Sequence, residues 1–184
     1  MRVAALLAAI VAALVLGSGA SASRSRSSWA AYLAPAGACS NADSRSAAPA
    51  LQRQAMTCLV NWTRRLVGAR QLAWSRRLAT VAAAKAHVVI QCGDFSHYPC
   101  GVRWPSSTAT RYRPWNVFGE NLYAGNLWLR TPRAAMLAWL ESSEHRAVLF
   151  GRSWSRLGVS VVVAPKLIGG DNMSLWVLEV AGRN

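Results

Sequence analysis

Four cysteines, Cys39, Cys58, Cys92 and Cys100, constrain this chain more than any other residues, because their chemistry depends on the compartment in which the chain folds. The N-terminus points to that compartment. Arg2 precedes an apolar run over residues 3–16, and Gly17-Ser18-Gly19 leads into Ala20-Ser21-Ala22, the pattern of a secretory leader with an Ala-x-Ala cleavage site. The run falls short of the about 20 apolar residues that a membrane-spanning helix needs, and no later stretch comes close. Residues 1–22 therefore read as a signal peptide, and the mature chain as secreted, extracellular and without a transmembrane segment. In an oxidising compartment four cysteines suggest two disulfides. A zinc site would usually bring Cys-x-x-Cys pairs, and there are none. Proximity favours Cys92 with Cys100, which leaves Cys39 with Cys58 to tie the N-terminal arm onto the first helix.

The first of these pairings staples the loop Cys92-Gly93-Asp94-Phe95-Ser96-His97-Tyr98-Pro99-Cys100 and holds His97 on it. The net charge of +14, almost all arginine, will draw the protein to anionic surfaces such as cell-wall polymers, acidic lipid or nucleic acid in a salt-dependent way. No nucleic-acid motif is present, so nucleic acid is not an expected partner. Arg64-Arg65 and Arg76-Arg77 read as solvated helix faces.

Residues 23–50 are rich in Ser, Ala and Arg and read as a flexible arm, with residues 51–184 forming one domain. Leu51, Ala55, Cys58, Leu59, Trp62 and Leu66 recur at helical spacing before Gly68, a C-terminal cap. A second helix runs from the N-cap Ser75 to about Ile90, burying Leu78, Val81, Ala82, Val88 and Val89. His87 on that helix has no carboxylate or histidine one turn away and reads as a surface or packing residue. The long irregular stretch 101–119 carries Trp104, Tyr112, Trp115 and Phe118, aromatics that suit either a groove or a cover for the core. Thr131-Pro132 opens a third helix, to about Ser142, and residues 156–164 and 175–180 read as two strands joined through Gly169-Gly170-Asp171-Asn172. The whole predicts an α+β sandwich in which helices cover a sheet.

Several short motifs occur in order: residues 58–65, Phe95-Ser96-His97, Gly119-Glu120-Asn121, residues 139–149, Leu157-Gly158-Val159-Ser160 and residues 176–182. Together they resemble the CAP superfamily, the cysteine-rich secretory protein, antigen 5 and pathogenesis-related 1 domain (SCP-like), in its bacterial secreted branch. The resemblance spans about residues 50–182. It implies a three-layer α-β-α sandwich, a central mainly antiparallel sheet, and a cleft that in the family can hold two histidines and two glutamates. Some members bind zinc or another divalent metal there. Carried over, the histidines are His97 and His145 and one glutamate is Glu120, while Ser142 stands where the second glutamate would be. Glu141, one turn before His145 if the helix continues, is a candidate replacement, and Glu144 replaces the usual glycine before that histidine.

His97, Glu120 and His145 thus form either a weak metal site, zinc foremost, or a hydrogen-bonded polar cluster. Two histidines and a glutamate leave zinc an open position, but hydrolysis also needs a general base, and no unassigned carboxylate is an obvious one. The leading expectation is a monomeric, non-enzymatic secreted binding module for a cell-envelope component, lipid or protein ligand. A metal-assisted hydrolase of peptide or peptidoglycan bonds is the alternative, and a cationic effector acting through charge alone is a third. A serine or cysteine hydrolase is not expected, because no Gly-x-Ser-x-Gly elbow is present and the cysteines are oxidised.

Overall fold

The structure, a computed structural model, describes residues 28–102 and 114–183. The expected leader at 1–22, the start of the arm and residues 103–113, with Trp104 and Tyr112, lie outside the described residues. Among the described residues, four α-helices, α1 (Pro49–Leu66), α2 (Arg76–Cys92), α3 (Pro132–Glu141) and α4 (Ser143–Phe150), accompany four strands. The strands are β1 (Ala73–Trp74), β2 (Val117–Gly125), β3 (Trp154–Leu167) and β4 (Gly170–Gly182). They form one sheet in the order β1-β3-β4-β2, antiparallel except where the short β1 lies parallel to β3.

The alternation of β4 separates the layers. Trp176, Leu178 and Val180 point to one face and join Met56, Leu59, Met136, Trp139 and Leu140 from α1 and α3. Leu175 and Val177 point to the other and join Ala82, Ala86 and Val89 of α2. A strand apolar on both faces, as β4 is over residues 175–178, is what a sheet covered on both sides requires. The expected three-layer α-β-α sandwich follows. Each fully buried Trp, Leu or Val on it contributes about 1.5–3 kcal/mol.

Both disulfides form as expected, Cys39 with Cys58 and Cys92 with Cys100. The helix starts are also where the capping residues put them. Ser75 accepts the Leu78 N–H and Thr131 accepts the Ala134 N–H, each ahead of its helix.

Three local expectations are corrected. Residues 28–48 are not a flexible arm: Ala34, Cys39 and Ala42 are buried in the core, and Trp29 and Tyr32 pack on Phe150. Arg133 fixes the segment, donating to the Ala34 carbonyl at 2.6 Å and to Asp43 at 2.7 Å. Its low content of large apolar residues concealed how much small-residue packing and side-chain bonding hold it. Arg64 is fully buried rather than solvated, although its neighbour Arg65 is exposed and lies over the Trp62 ring. The stretch from Gly119 to Gly125, where no strand was expected, is most of strand β2. The helix opened by Thr131-Pro132 ends at Glu141, close to the expected Ser142, which turns extended (φ −93°, ψ 127°) and caps a new helix, α4.

Candidate functional site

Strand β2 is an edge of the sheet, and its alternation sends neighbouring side chains to opposite layers. Glu120 and Leu122 stand across from Glu179 and Val177, on the α2 face. Asn121 points the other way and donates from Nδ2 to the His145 carbonyl at 3.1 Å, which seats the first turn of α4 against the strand. Candidate residues thus reach the same edge from both layers.

His97 arrives from the α2 side. The helix ends at Cys92, and Gly93 takes the left-handed conformation (φ 60°) that turns the chain back. Ser96 Oγ accepts the Tyr98 N–H, and the disulfide to Cys100 closes the loop. The half-exposed His97 ring then sets Nδ1 2.6 Å from Glu120 Oε1. A carboxylate in that contact only accepts, so Nδ1 carries the proton and Nε2 is the ring atom left for a ligand.

A residue that the sequence reading passed over completes the contact. Lys85 on α2 is fully buried, with Nζ 3.1 Å from Glu120 Oε1 and 2.6 Å from the His97 carbonyl. A signal was present: Lys85 lies on the stripe of Leu78, Val81, Ala82, Ala86 and Val89, where a lysine must find a counter-charge. Asn121 was also missed as a group that orients α4.

His145 approaches from the other layer. Its N–H reaches Ser142 Oγ at 3.4 Å, so the serine in the second-glutamate position works as a helix cap. Burial holds the imidazole below the usual histidine range, the nearby His97 lowers it further, and Glu144 partly opposes both. His145 Nδ1 and Glu120 Oε2 are buried without a hydrogen-bond partner. The structure thus joins His97 to Glu120 directly and brings His145 near without bonding it to either. Glu141 is exposed at the end of α3, and the break at Ser142 removes the helical spacing that would have aligned it with His145. His87 is exposed, in keeping with its surface reading.

Among the described residues no three His, Cys, Asp or Glu side chains are placed to hold one metal ion. The chemistry agrees, since Glu120 Oε1 already receives an ammonium and an imidazole. As they stand, these residues do not fit the three-ligand metal centre expected of them.

The family model described as "Cysteine-rich secretory protein family" (CAP) matches residues 58–179. Among solved structures, an extracellular protein containing an SCP domain from Bacillus anthracis aligns at 21% identity and TM-score 0.54, over 74% of this chain and 44% of its own. An outer surface protein from Borrelia burgdorferi aligns at 21% identity and TM-score 0.56, over 70% of this chain and 90% of its own. A cysteine-rich secretory protein from Staphylococcus aureus aligns at 16% identity and TM-score 0.54, over 74% of this chain and 40% of its own. The aligned region is thus less than half of the Bacillus and Staphylococcus proteins. No curated protein sequence matches. These structures share the fold, and the family match, covering most of the described domain, carries the assignment: the chain belongs to the CAP family.

Proposed function

We propose that this CAP domain is a secreted, non-catalytic binding module whose cleft along β2 takes a polar ligand of the cell envelope. The observation that carries this reading is the pair of buried, unpartnered atoms, Glu120 Oε2 and His145 Nδ1, reaching the same strand from opposite layers. Buried polar atoms are nearly always satisfied, so two together mark a place where a ligand or ordered water completes the bonding. The exposed His97 Nε2 adds a third polar group. Glu120, already bonded by Lys85 and His97, is poorly suited to serve as a general base.

Secretion is supported by the leader-like N-terminus and by two disulfides, which persist in oxidising compartments. No helix among the described residues is long and apolar enough to cross a membrane. The Bacillus and Borrelia proteins are described as extracellular and outer-surface. The net charge of +14 would gather the protein at an anionic envelope, with the cleft selecting within it.

Sedimentation with isolated cell-wall material and with anionic lipid vesicles, at low and high salt, tests the reading. Cleft binding predicts a salt-resistant fraction that His145→Ala and Glu120→Gln remove. Binding that vanishes with salt in wild type and variants alike would reduce the protein to a charged surface. Cleavage of the wall material that His97→Ala abolishes would establish an enzyme instead.

A further inference from the structure

The cleft contains a positive charge of its own. Lys85 projects from the buried stripe of α2, fully shielded from solvent, and its ammonium meets two groups of the site, the Glu120 carboxylate and the His97 carbonyl. These groups come from three separate segments: a helix, a stapled loop and an edge strand. In addition, Glu179 stands directly across from Glu120 on the same face of the sheet. Like charges in opposite register repel, and the ammonium 3.1 Å from Glu120 Oε1 offsets the charge on that side of the pair.

We propose that Lys85 is the resident cation of this cleft: it stands in for a divalent metal at Glu120 and acts as the positioning residue for His97. A lysine held only for its stem could be replaced by a methionine, whereas removing one partner of a buried ion pair leaves the other charge uncompensated. Lys85 instead bonds to both ends of His97's anchorage, its backbone carbonyl and the carboxylate that takes its ring proton. The same contacts oppose a metal. A divalent ion at Glu120 would meet the ammonium at short range, and the carboxylate's charge is already balanced. Removing the ammonium alone reverses this, leaving the Glu120 carboxylate beside His97 without its cation.

This inference rests on the reading of the β2 cleft as the binding site, but its test needs no envelope ligand, so either can fail while the other stands. Zinc is titrated calorimetrically into the full disulfide-bonded chain, as wild type, Lys85→Met and Lys85→Met/Glu120→Gln. Wild type should take up no stoichiometric zinc. Lys85→Met should take up one equivalent, and the double variant should lose that gain. In parallel, the downfield proton resonance of a histidine Nδ1–H bonded to a carboxylate should be present in wild type and lost in Lys85→Met. If Lys85→Met does not fold, Lys85→Gln, which keeps a donor for the His97 carbonyl, replaces it in both measurements. One equivalent of zinc on wild type, or a Lys85 variant that keeps the His97 resonance and gains no zinc, would overturn the proposal.

Discussion

Arg64 Nη1 donates to the Leu149 carbonyl at 2.6 Å, joining the last turn of α1 to the end of α4 across 85 residues of chain. The same nitrogen reaches Gly151 O at 3.0 Å, and Nε reaches Arg70 O at 2.8 Å. Three carbonyls are thus met by one guanidinium placed at a helix C-terminus, where positive charge is favoured. Burial, with repulsion from Arg70 and Arg152, brings its pKa down to about 10, still leaving it charged at neutral pH. Arg64→Met should cost about 3 kcal/mol in urea unfolding, because buried carbonyls lose their donors. Arg64→Lys should recover only part, since one ammonium cannot span all three.

Gly158 should tolerate no side chain. A Cβ there would fall against the backbone of Leu78 and Ala79, where the first turn of α2 lies on β3. Gly158→Ala must lift the helix that carries Lys85, with an expected loss of about 3 kcal/mol. Gly169, at the β3–β4 turn with φ +73° and nothing within 4 Å, provides the contrast. Gly169→Ala should cost only about 1 kcal/mol, from backbone strain. Thermal melts of the two variants check the ranking.

Acid should weaken the fold partly through His145. Its folded pKa lies below the unfolded value near 6.5, so between the two values the unfolded chain binds a proton that the folded one does not. The His145 contribution is therefore intact above the unfolded pKa and is lost as pH falls through the folded pKa. His145→Gln should show a shallower fall in melting temperature from pH 7.5 to 5.5 than wild type, whatever the absolute stability of the variant.

Removing the staple at His97 should matter more to the loop than to the whole fold. The Cys92–Cys100 ring is short, so Cys92→Ala/Cys100→Ala should lower unfolding free energy by about 2–3 kcal/mol. Amide exchange over residues 93–101 should rise well beyond that of α2, and salt-resistant envelope binding should fall with it.

What could be read from the sequence was local. The periodicity of α1 and α2, the caps at Ser75 and Thr131, the β3–β4 hairpin and both disulfide pairings follow from residues close together or from simple elimination. His97 and Glu120 were identified through family motifs, and their contact is now seen at 2.6 Å. What could not be read depends on distant segments meeting. Lys85 looks like any helix lysine until a loop carbonyl and a strand carboxylate close around it. Arg64 looks solvated until the end of α4 arrives. Strand β2 was hidden because an edge strand with Gly119, Glu120 and Asn121 lacks the apolar alternation that marks strands in isolation. Ser142 marked the end of one expected helix, and only the fold shows that it caps another.

The place of β4 in the sheet also governs when this domain can exist. It is the last strand of the fold, yet it lies at the centre, bonded to both β2 and β3 and holding the two apolar layers apart. A chain emerging from synthesis or from a membrane pore, N-terminus first, has all four helices available before the surface they cover is complete. The Cys39–Cys58 link can close early, since its partners lie 19 residues apart. The cleft cannot, because Glu120 takes its place only when β2 has β4 to pair with. A chain cut short before residue 170 would therefore display apolar helices without a core, a substrate for proteases rather than a smaller working domain.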